Sequence, residues 1–455
     1  MEERQQDGQM RNPLGTDNIG TLLRRFAVPS VIAMLVGALY NIVDQFFIGQ
    51  RVGSLGNAAT NIAFPLSISS VAIALLLGIG GASCFNLDMG RGEPKRAVSF
   101  VGNAITFLIL GGVLLCIITE LYLEPLLLFF GSPEDVLGYA MEYTRVSAIG
   151  FPMLILSTGG GHLIRADGSP RYAMLCNMVG AVLNVFLDWL FVFGLNMGMA
   201  GAALATIIGQ YIAGGMAIWY FCHYKTVKLS WKHLWPKGAM IGKILSLGAA
   251  PCFNQLAMMV VQIVLNNSLK HYGAASIYGA SIPLACSGIV MKVCQLFFAF
   301  IIGISQGLQP IVSFNYGAKN YERVKKAYLR AIVTGFGIAI VAFGIFQLFP
   351  RQILSAFGEG TELYFQFGVR YFRTFMFFTF LNFVQPITSN FFTAIGKPVK
   401  GIILSLTRQI IFLLPLLVLL PLWKGIDGIL YTGPIADFLA FAVCTFMVAW
   451  ELKKQ

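Results

Sequence analysis

Two aspartates lie deep inside apolar stretches of the sequence, each with a polar side chain four residues before it. Asp44 follows Tyr40, and Asp188 follows Asn184. Because residues four apart share one face of a helix, each pair can point at a common centre. Carboxylate and amide oxygens are hard ligands that suit a small cation such as Na⁺. Two close carboxylates in a low dielectric cannot both be ionised cheaply, so the same cluster could hold a proton.

A third apolar stretch adds a hydroxyl to this set. Thr206 lies four residues after Ala202 and could face the same centre. Ionisable residues inside a membrane span are costly and carry a functional hypothesis by default. The competing interpretation is interhelical hydrogen bonding for packing alone, which contributes about 0.6 kcal/mol per contact.

The elements that position these residues must be membrane spans. Of the 455 residues, 57% are apolar and only 11% are charged, against roughly 25% charged residues in a soluble domain. This composition excludes a soluble enzyme and a disordered chain. The net charge of +12 could indicate a nucleic-acid partner, but the placement of the charges favours a membrane instead.

Apolar runs long enough to span a bilayer, about 20 residues each, occur twelve times. The sequence predicts helices over 26–49, 60–85, 98–123, 136–163, 172–195, 199–222, 244–269, 280–308, 328–349, 363–392, 401–423 and 427–450. Lys and Arg concentrate at both termini and in the even-numbered loops, whereas the odd-numbered loops hold only Arg51, Lys270, Arg351 and Lys424. By the positive-inside rule, both termini and the even-numbered loops face the cytoplasm.

The chain also repeats itself. Ala166, Gly168 and Pro170 recur 228 residues later as Ala394, Gly396 and Pro398. Other pairs at nearly the same separation are Gly131 with Gly358, Met89-Gly90 with Tyr316-Gly317, and Pro29 with Pro251. We therefore expect two six-helix lobes that enter the membrane from the same side, as parallel repeats around a central cleft. This is a transporter architecture.

The repeat supplies an internal control for the polar cluster. Packing groups would tend to survive in both halves, but the second half lacks the carboxylates: Asp44, Asn184, Asp188 and Thr206 correspond to Asn266, Phe412, Leu416 and Gly433. The asymmetry favours a functional site in the first half. The second half offers Gln262, Asn266, Lys292 and Asp437 as candidate residues of a substrate cleft, with Lys292 as a possible partner of Asp437.

The stretches that carry these residues resemble the bacterial multidrug and toxic-compound extrusion (MATE) transporters, in the MepA-like or DinF-like branch. They include VPSVIAMLVGALYNIVDQFFIG, HLIRADGSPRYAM with LNVFLDWLF, GAALATIIGQ, and GISQGLQPIVSFNYGAKNYERVKKA. The resemblance covers essentially the whole chain. It implies two lobes around a V-shaped cleft, and export of lipophilic or cationic drugs in exchange for H⁺ or Na⁺ by alternating access.

The same resemblance assigns roles to particular residues. It implies a cation site in the N-terminal lobe at Asp44, Asn184, Asp188 and Thr206, with Tyr40 as a hydrogen-bonding neighbour and the Ala202 carbonyl as a possible ligand. Pro29 falls where some members bend the first helix. One branch of the family carries Glu on helix 7 and Asp on helix 10, and this chain has neither, so a second cation site on that pattern is not expected.

The organisation expected from these observations has five parts: a cytoplasmic segment 1–20, an N-lobe 21–222, an inter-lobe loop 223–243, a C-lobe 244–450 and a cytoplasmic tail 451–455. We expect a multi-pass protein of the bacterial inner membrane that has no cofactor beyond its coupling ion, no metal beyond a possible Na⁺ and no nucleic-acid partner. It can work as a monomer, because twelve helices enclose their own pathway.

Three other functions remain as alternatives. A flippase or exporter of lipid-linked or amphipathic substrates is expected to have a strongly cationic cavity, and interior cations are few here. An intramembrane enzyme is disfavoured because the sequence lacks HExxH, GxSxG and a carboxylate-rich metal motif. A channel suits the two-lobed repeat and one-sided ion site less well than alternating access does.

Overall fold

The structure is a computed structural model that describes residues 12–132, 134–279, 281–357 and 360–453. Gly358, the expected counterpart of Gly131, lies outside the described residues. So do residues 1–11 of the expected N-terminal segment and 454–455 of the expected tail.

Twelve long helical segments follow one another in the described part of the chain, accompanied by short helices at Pro13–Thr16, Leu123–Phe129, Trp231–Leu234 and Pro350–Phe357. In the numbering used below they are α1 (Ile19–Arg51), α2 (Ser54–Gly90), α3 (Pro94–Leu121), α4 (Glu134–Ala166), α5 (Pro170–Asp188, continued by a π turn over Trp189–Gly194), α6 (Gly198–Cys222), α7 (Gly238–Ala274), α8 (Ser281–Gly317), α9 (Tyr321–Leu348), α10 (Glu362–Phe375, Thr379–Asn382 and Val384–Ala394), α11 (Pro398–Leu406 and Leu414–Lys424, joined by a π turn over Thr407–Leu413) and α12 (Ile426–Lys453).

Eleven of these segments are long and apolar enough to cross a membrane, among the residues that the structure describes. The chain is therefore a multi-pass membrane protein. Several helices extend beyond the predicted apolar runs because their first or last turns are polar. The helix α1 begins at Ile19 rather than at residue 26, and the Asn18 side chain caps it by accepting the Gly20 N–H at 2.8 Å.

The one remaining segment, α10, is broken where the sequence predicts a single helix over 363–392. Its first break, at Met376–Phe378, is stabilised by the Thr379 hydroxyl, which donates to the Met376 carbonyl at 2.6 Å. The second break, at Phe383, precedes Pro386, which lacks the N–H that would bond the Asn382 carbonyl. A single apolar run thus becomes three helical pieces.

The internal repeat is visible in the backbone. Gly168 and Gly396 both have positive φ, 83° and 75°, in the loops that precede α5 and α11. Gly198 and Gly425, at the ends of the connections that lead into α6 and α12, both have a φ of 58°. Such left-handed conformations favour glycine because it has no Cβ. The two halves therefore turn at equivalent positions.

The first turns of α1 and of α7 each pack into the hydrophobic core of the opposite lobe. Leu22 and Phe26 of α1 belong to the hydrophobic core of the C-terminal half. In the same way, Ile244 and Leu247 of α7 belong to the core of the N-terminal half. Helix α1 packs along α8, and its counterpart α7 packs along α2.

Glycines permit both of these crossings. A Cβ on Gly307 of α8 would lie 2.5 Å from the Ala27 nitrogen, and one on Gly248 of α7 would overlap the Leu76 carbonyl oxygen.

We call the end of the molecule where α1 and α7 begin and α2 and α8 end the basic side, after the Lys and Arg residues of its loops. Both crossings lie in the half of the molecule nearer the basic side.

Candidate cation site in the N-terminal lobe

The two aspartates singled out by their spacing meet in the structure. Asp44 of α1 and Asp188, the last residue of α5, are 8% and 0% exposed, and their carboxyl groups lie within hydrogen-bonding reach of each other. The Oδ1 atom of each is buried and has no hydrogen-bond partner in the structure. Repulsion between two buried carboxylates favours the uptake of one positive charge. The pair therefore has the chemistry to hold a proton or a monovalent cation.

Asn184, Thr206 and Ala202 form a chain of hydrogen bonds behind this pair. The Thr206 hydroxyl lies 3.1 Å from the Asn184 amide and donates to the Ala202 carbonyl at 3.1 Å. The amide is best satisfied with its nitrogen donating to Asp188 Oδ2 at 3.2 Å and its oxygen accepting the Thr206 backbone N–H at 3.2 Å. In this orientation Asn184 orients the Asp188 carboxylate, and a Na⁺ ion would need the amide turned to present its oxygen.

Two tyrosines complete the surroundings. Tyr40, four residues before Asp44, lies in the electrostatic environment of both aspartates. Tyr143 of α4 lies in the same environment, and it was not among the residues predicted from the sequence. The signal was available, because Tyr143 and Ser147 are four apart inside a predicted span and so share a helix face.

The backbone changes at the site itself. Helix α5 is α-helical up to Asp188 and continues as a π turn over Trp189–Gly194. Single π turns inside α-helices are frequent at functional sites because they re-aim side chains and free backbone groups. No spacing in the sequence signals this turn.

Pro29 lies inside α1, which runs without interruption from Ile19 to Arg51. It is buried, and its missing N–H leaves the Arg25 carbonyl without the usual helical donor. The bend of the first helix at this position remains a prediction.

The four C-lobe candidates do not form one cluster. Gln262 donates to Asn266 at 2.9 Å, and these are the repeat counterparts of Tyr40 and Asp44. The partner of Asp437 is not Lys292 but Arg408, whose Nε lies 2.5 Å from Asp437 Oδ1. Among the described residues, no hydrogen bond or ion pair joins Asn266, Lys292 and Asp437.

Comparison with known proteins gives a consistent result. The MatE family model matches residues 29–190 and 251–419. The multidrug export protein MepA of Staphylococcus haemolyticus is 24% identical over 438 residues, which cover 95% of this chain and 94% of MepA. MepA of Staphylococcus aureus strain MSSA476 is 23% identical over 440 residues, with the same coverage.

Solved structures match over nearly the whole chain. The MATE multidrug transporter DinF-BH is 34% identical with a TM-score of 0.88, and the match covers 96% of both chains. An outward-facing MATE family transporter of the MOP superfamily is 23% identical with a TM-score of 0.90, and the match covers 97% of this chain and 98% of that chain. The all-α, two-lobed membrane fold expected from the sequence is confirmed.

Proposed function

Because this chain belongs to the MatE family of multidrug efflux transporters, we propose that it exports lipophilic or cationic drugs in exchange for H⁺ or Na⁺. One observation carries the proposal: the buried Asp44–Asp188 pair, in which one oxygen of each carboxylate has no partner. The coupling ion binds there, in the N-lobe, with Asn184 and Thr206 orienting Asp188. Tyr40 and Tyr143 line the site, and no further cofactor takes part.

The contacts between the lobes support an alternating-access cycle. Backbone approaches between the lobes cluster at the basic side, as at Gly307 and Gly248. If the basic side faces the cytoplasm, as the positive-inside rule predicts, the pathway is closed to the cytoplasm in this structure. The outward-facing protein then takes up an external ion at Asp44 and Asp188, and helix α1 shifts and expels the drug.

The available driving force suffices for such an exchange. Moving one charge inward is worth about 2.3 kcal/mol per 100 mV of membrane potential. Each pH unit across the membrane adds about 1.36 kcal/mol per proton. One or two ions can therefore sustain a useful gradient of drug.

The geometry around Asn184 separates the two candidate ions. A proton needs only the two neighbouring carboxyl groups. Sodium prefers more oxygen ligands, so it needs the Asn184 oxygen and with it a rotation of the amide away from Thr206. We infer that a proton fits the site as it stands and that Na⁺ requires this rearrangement.

The remaining assignments follow from the same proposal. The protein spans the bacterial inner membrane with both termini in the cytoplasm, and one chain is sufficient for transport. The two lobes are 21–222 and 244–450, joined by the inter-lobe loop 223–243. Gln262, Asn266, Lys292 and Asp437 are candidate contacts for drug in the C-lobe, and Pro29 marks the expected bend of α1.

The proposal is tested with the purified protein in liposomes loaded with ethidium. A pH gradient and a Na⁺ gradient are imposed separately on wild type, Asp44→Asn and the control Glu124→Gln, which changes an exposed carboxylate in a short helix. We expect one gradient to drive efflux in wild type and in the control, and Asp44→Asn to abolish it while remaining folded. Transport retained by Asp44→Asn would remove this carboxylate from the mechanism. Absence of ethidium efflux from wild type under both gradients would favour a lipid-like substrate.

A further inference from the structure

The inter-lobe loop, residues 223–243, has an unusual composition for a linker. Its part before α7 begins, residues 223–237, carries four lysines, two histidines and two tryptophans, and it has no acidic residue. Its middle forms the short helix Trp231–Leu234, closed at its start by a reciprocal cap between Ser230 and His233. The loop is therefore a structured, cationic and partly aromatic element.

This short helix is held against α3 by hydrogen bonds to its backbone. The Asn103 amide donates to the carbonyls of His233 at 3.3 Å and Trp235 at 3.4 Å, and its oxygen accepts the Lys237 N–H at 2.7 Å. The Thr106 hydroxyl donates to the Leu234 carbonyl at 2.7 Å. The backbone of the loop faces the protein, which leaves side chains free to face outward.

The attachment lies part of the way into the membrane-spanning part of α3. Asn103 comes nine residues after Pro94, the first residue of α3, which is about 13 Å along the helix axis at 1.5 Å per residue. The lipid-exposed stripe of α3 begins just beyond, at Ile109 and Leu110, which are 39% and 49% exposed. The loop thus sits at the edge of the exposed apolar surface of α3, the level at which we expect the acyl chains of a bilayer to end.

The side chains that face outward at this level are indoles and ammonium groups. Trp231 and Trp235 are 88% and 76% exposed. Lys228, Lys232 and Lys237 are exposed, and no carboxylate of the described residues pairs with them. Tryptophan is enriched at membrane interfaces, and basic segments beside a membrane attract anionic lipids.

Several cations of the other basic loops are used within the protein. Arg91 and Arg96 bind the buried carboxylate of Asp88 at 2.9 and 3.3 Å. Lys397 and Lys400 both bind Glu451 of α12. Exposed lysines also occur on this side at Lys95 and Lys326, but Trp231 and Trp235 set the inter-lobe loop apart, because the sequences of the other basic loops contain no tryptophan.

We propose that the inter-lobe loop is a binding surface for anionic phospholipid headgroups. Trp231 and Trp235 insert at the boundary between headgroups and acyl chains. Lys228, Lys232 and Lys237 contact the phosphates. Zwitterionic lipids satisfy the indoles but carry no net negative charge for the lysines, so the surface prefers anionic lipids.

Brominated lipids test this with the whole protein, because bromine quenches tryptophan fluorescence only on contact. The protein is reconstituted in equal mixtures of phosphatidylcholine and phosphatidylglycerol, with bromine on the acyl chains of one lipid or the other. The variants are Trp231→Phe with Trp235→Phe, and Trp423→Phe as control, since Trp423 is 85% exposed at the end of α11 opposite the basic side. The triple variant Lys228→Gln, Lys232→Gln and Lys237→Gln removes the charges alone.

We expect brominated phosphatidylglycerol to quench wild type more strongly than brominated phosphatidylcholine does. The difference should be lost in the double Trp variant and in the triple Lys variant, and kept in Trp423→Phe. Equal quenching by the two lipids in wild type, or a preference that survives the triple Lys variant, would overturn the proposal. Unchanged total quenching in the double Trp variant would show that the loop does not reach the bilayer, and the proposal would fail.

Discussion

Gly90 and Gly317 contact each other's helices reciprocally across the two lobes. A Cβ on Gly90 would overlap the carbonyl oxygen of Phe314, and a Cβ on Gly317 would overlap that of Leu87. Gly90 and Gly317 are 227 residues apart, and so are Leu87 and Phe314. The two contacts are therefore equivalent in the internal repeat. The ends of α2 and α8 therefore close the basic side through one contact made twice.

Gly90→Ala should weaken this closure. The new methyl group must displace backbone rather than a flexible side chain, and such overpacking costs about 1–3 kcal/mol. The equilibrium should shift towards separation of the lobes at the basic side. Spin labels at Lys95→Cys and Lys326→Cys, in a background carrying Cys222→Ser, would measure it as a longer distance between the labels.

The control for this experiment is Gly337→Ala on α9, where a Cβ meets nothing within 4 Å. That variant should leave the label distance unchanged. An unaltered distance in both variants would mean that α2 and α8 tolerate a methyl group at their crossing.

Arg323 ties the start of the described chain to the C-lobe. Its Nη2 donates to the carbonyls of Leu14 at 3.1 Å and Asp17 at 2.7 Å, and its Nε donates to Asn315 Oδ1 at 3.1 Å. Removing these bonds in Arg323→Ala should cost about 1–3 kcal/mol and speed amide hydrogen exchange over residues 14–22. Lys326→Gln, which changes an exposed charge one turn later, should leave exchange there at the wild-type rate; equal exchange in both variants would contradict a tie through Arg323.

Thr206→Val tests the chain of hydrogen bonds behind Asp188. The change removes the hydroxyl that bonds Ala202 and Asn184 while keeping the shape of the side chain. Loss of about 1 kcal/mol of hydrogen bonding should weaken the apparent affinity for the coupling ion about five-fold without unfolding the protein. Thr334→Val, which removes an exposed hydroxyl bonded to its own helix at 2.8 Å, should not change ion affinity, and an unchanged affinity in Thr206→Val would exclude Thr206 from the site.

Removing one partner of the Arg408–Asp437 ion pair should destabilise the protein strongly. Both side chains are buried, at 11% and 3% exposure, so Asp437→Ala leaves an uncompensated charge and should destabilise the protein by about 3–5 kcal/mol. Replacing both residues with apolar ones should cost much less. Thermal unfolding in detergent measures the difference.

The exposed pair Arg370–Asp427, with its charged atoms 2.8 Å apart, is the matched control in the same lobe. Asp427→Ala should lower stability by less than about 1 kcal/mol. A similar loss for the two single variants would mean that burial of the Arg408–Asp437 pair has little energetic effect.

Much of the fold could be predicted because apolar length and an internal repeat are properties of the sequence itself. The four-residue spacings around Asp44 and around Asp188 indicated that each pair could face a common centre, and the two carboxyl groups lie within hydrogen-bonding reach of each other. The pairing of Arg408 with Asp437 could not be predicted in the same way, because it depends on how α11 and α12 rotate against each other. The first half has no equivalent ion pair, because the positions that correspond to Arg408 and Asp437 there are Gly180 and Gln210.

Local backbone irregularities were the least predictable features. The π turn after Asp188 and the first break in α10 arise from hydrogen bonds that compete with the regular helix. Pro386 gave a usable signal for the second break, but an apolar run that long favours one helix on composition alone. The role of Tyr143 depends on packing of α4 against the other helices of its lobe, which spacing within α4 does not fix.

The exchange of first turns between the lobes has a consequence for synthesis. The chain is made from its N-terminus, so α1 to α6 enter the membrane before α7 exists. The core of the first half lacks Ile244 and Leu247 until then, and the first turns of α1 wait for α8 to cover Leu22 and Phe26. The first half must therefore persist in the bilayer as an unfinished intermediate, and neither half can mature without the other.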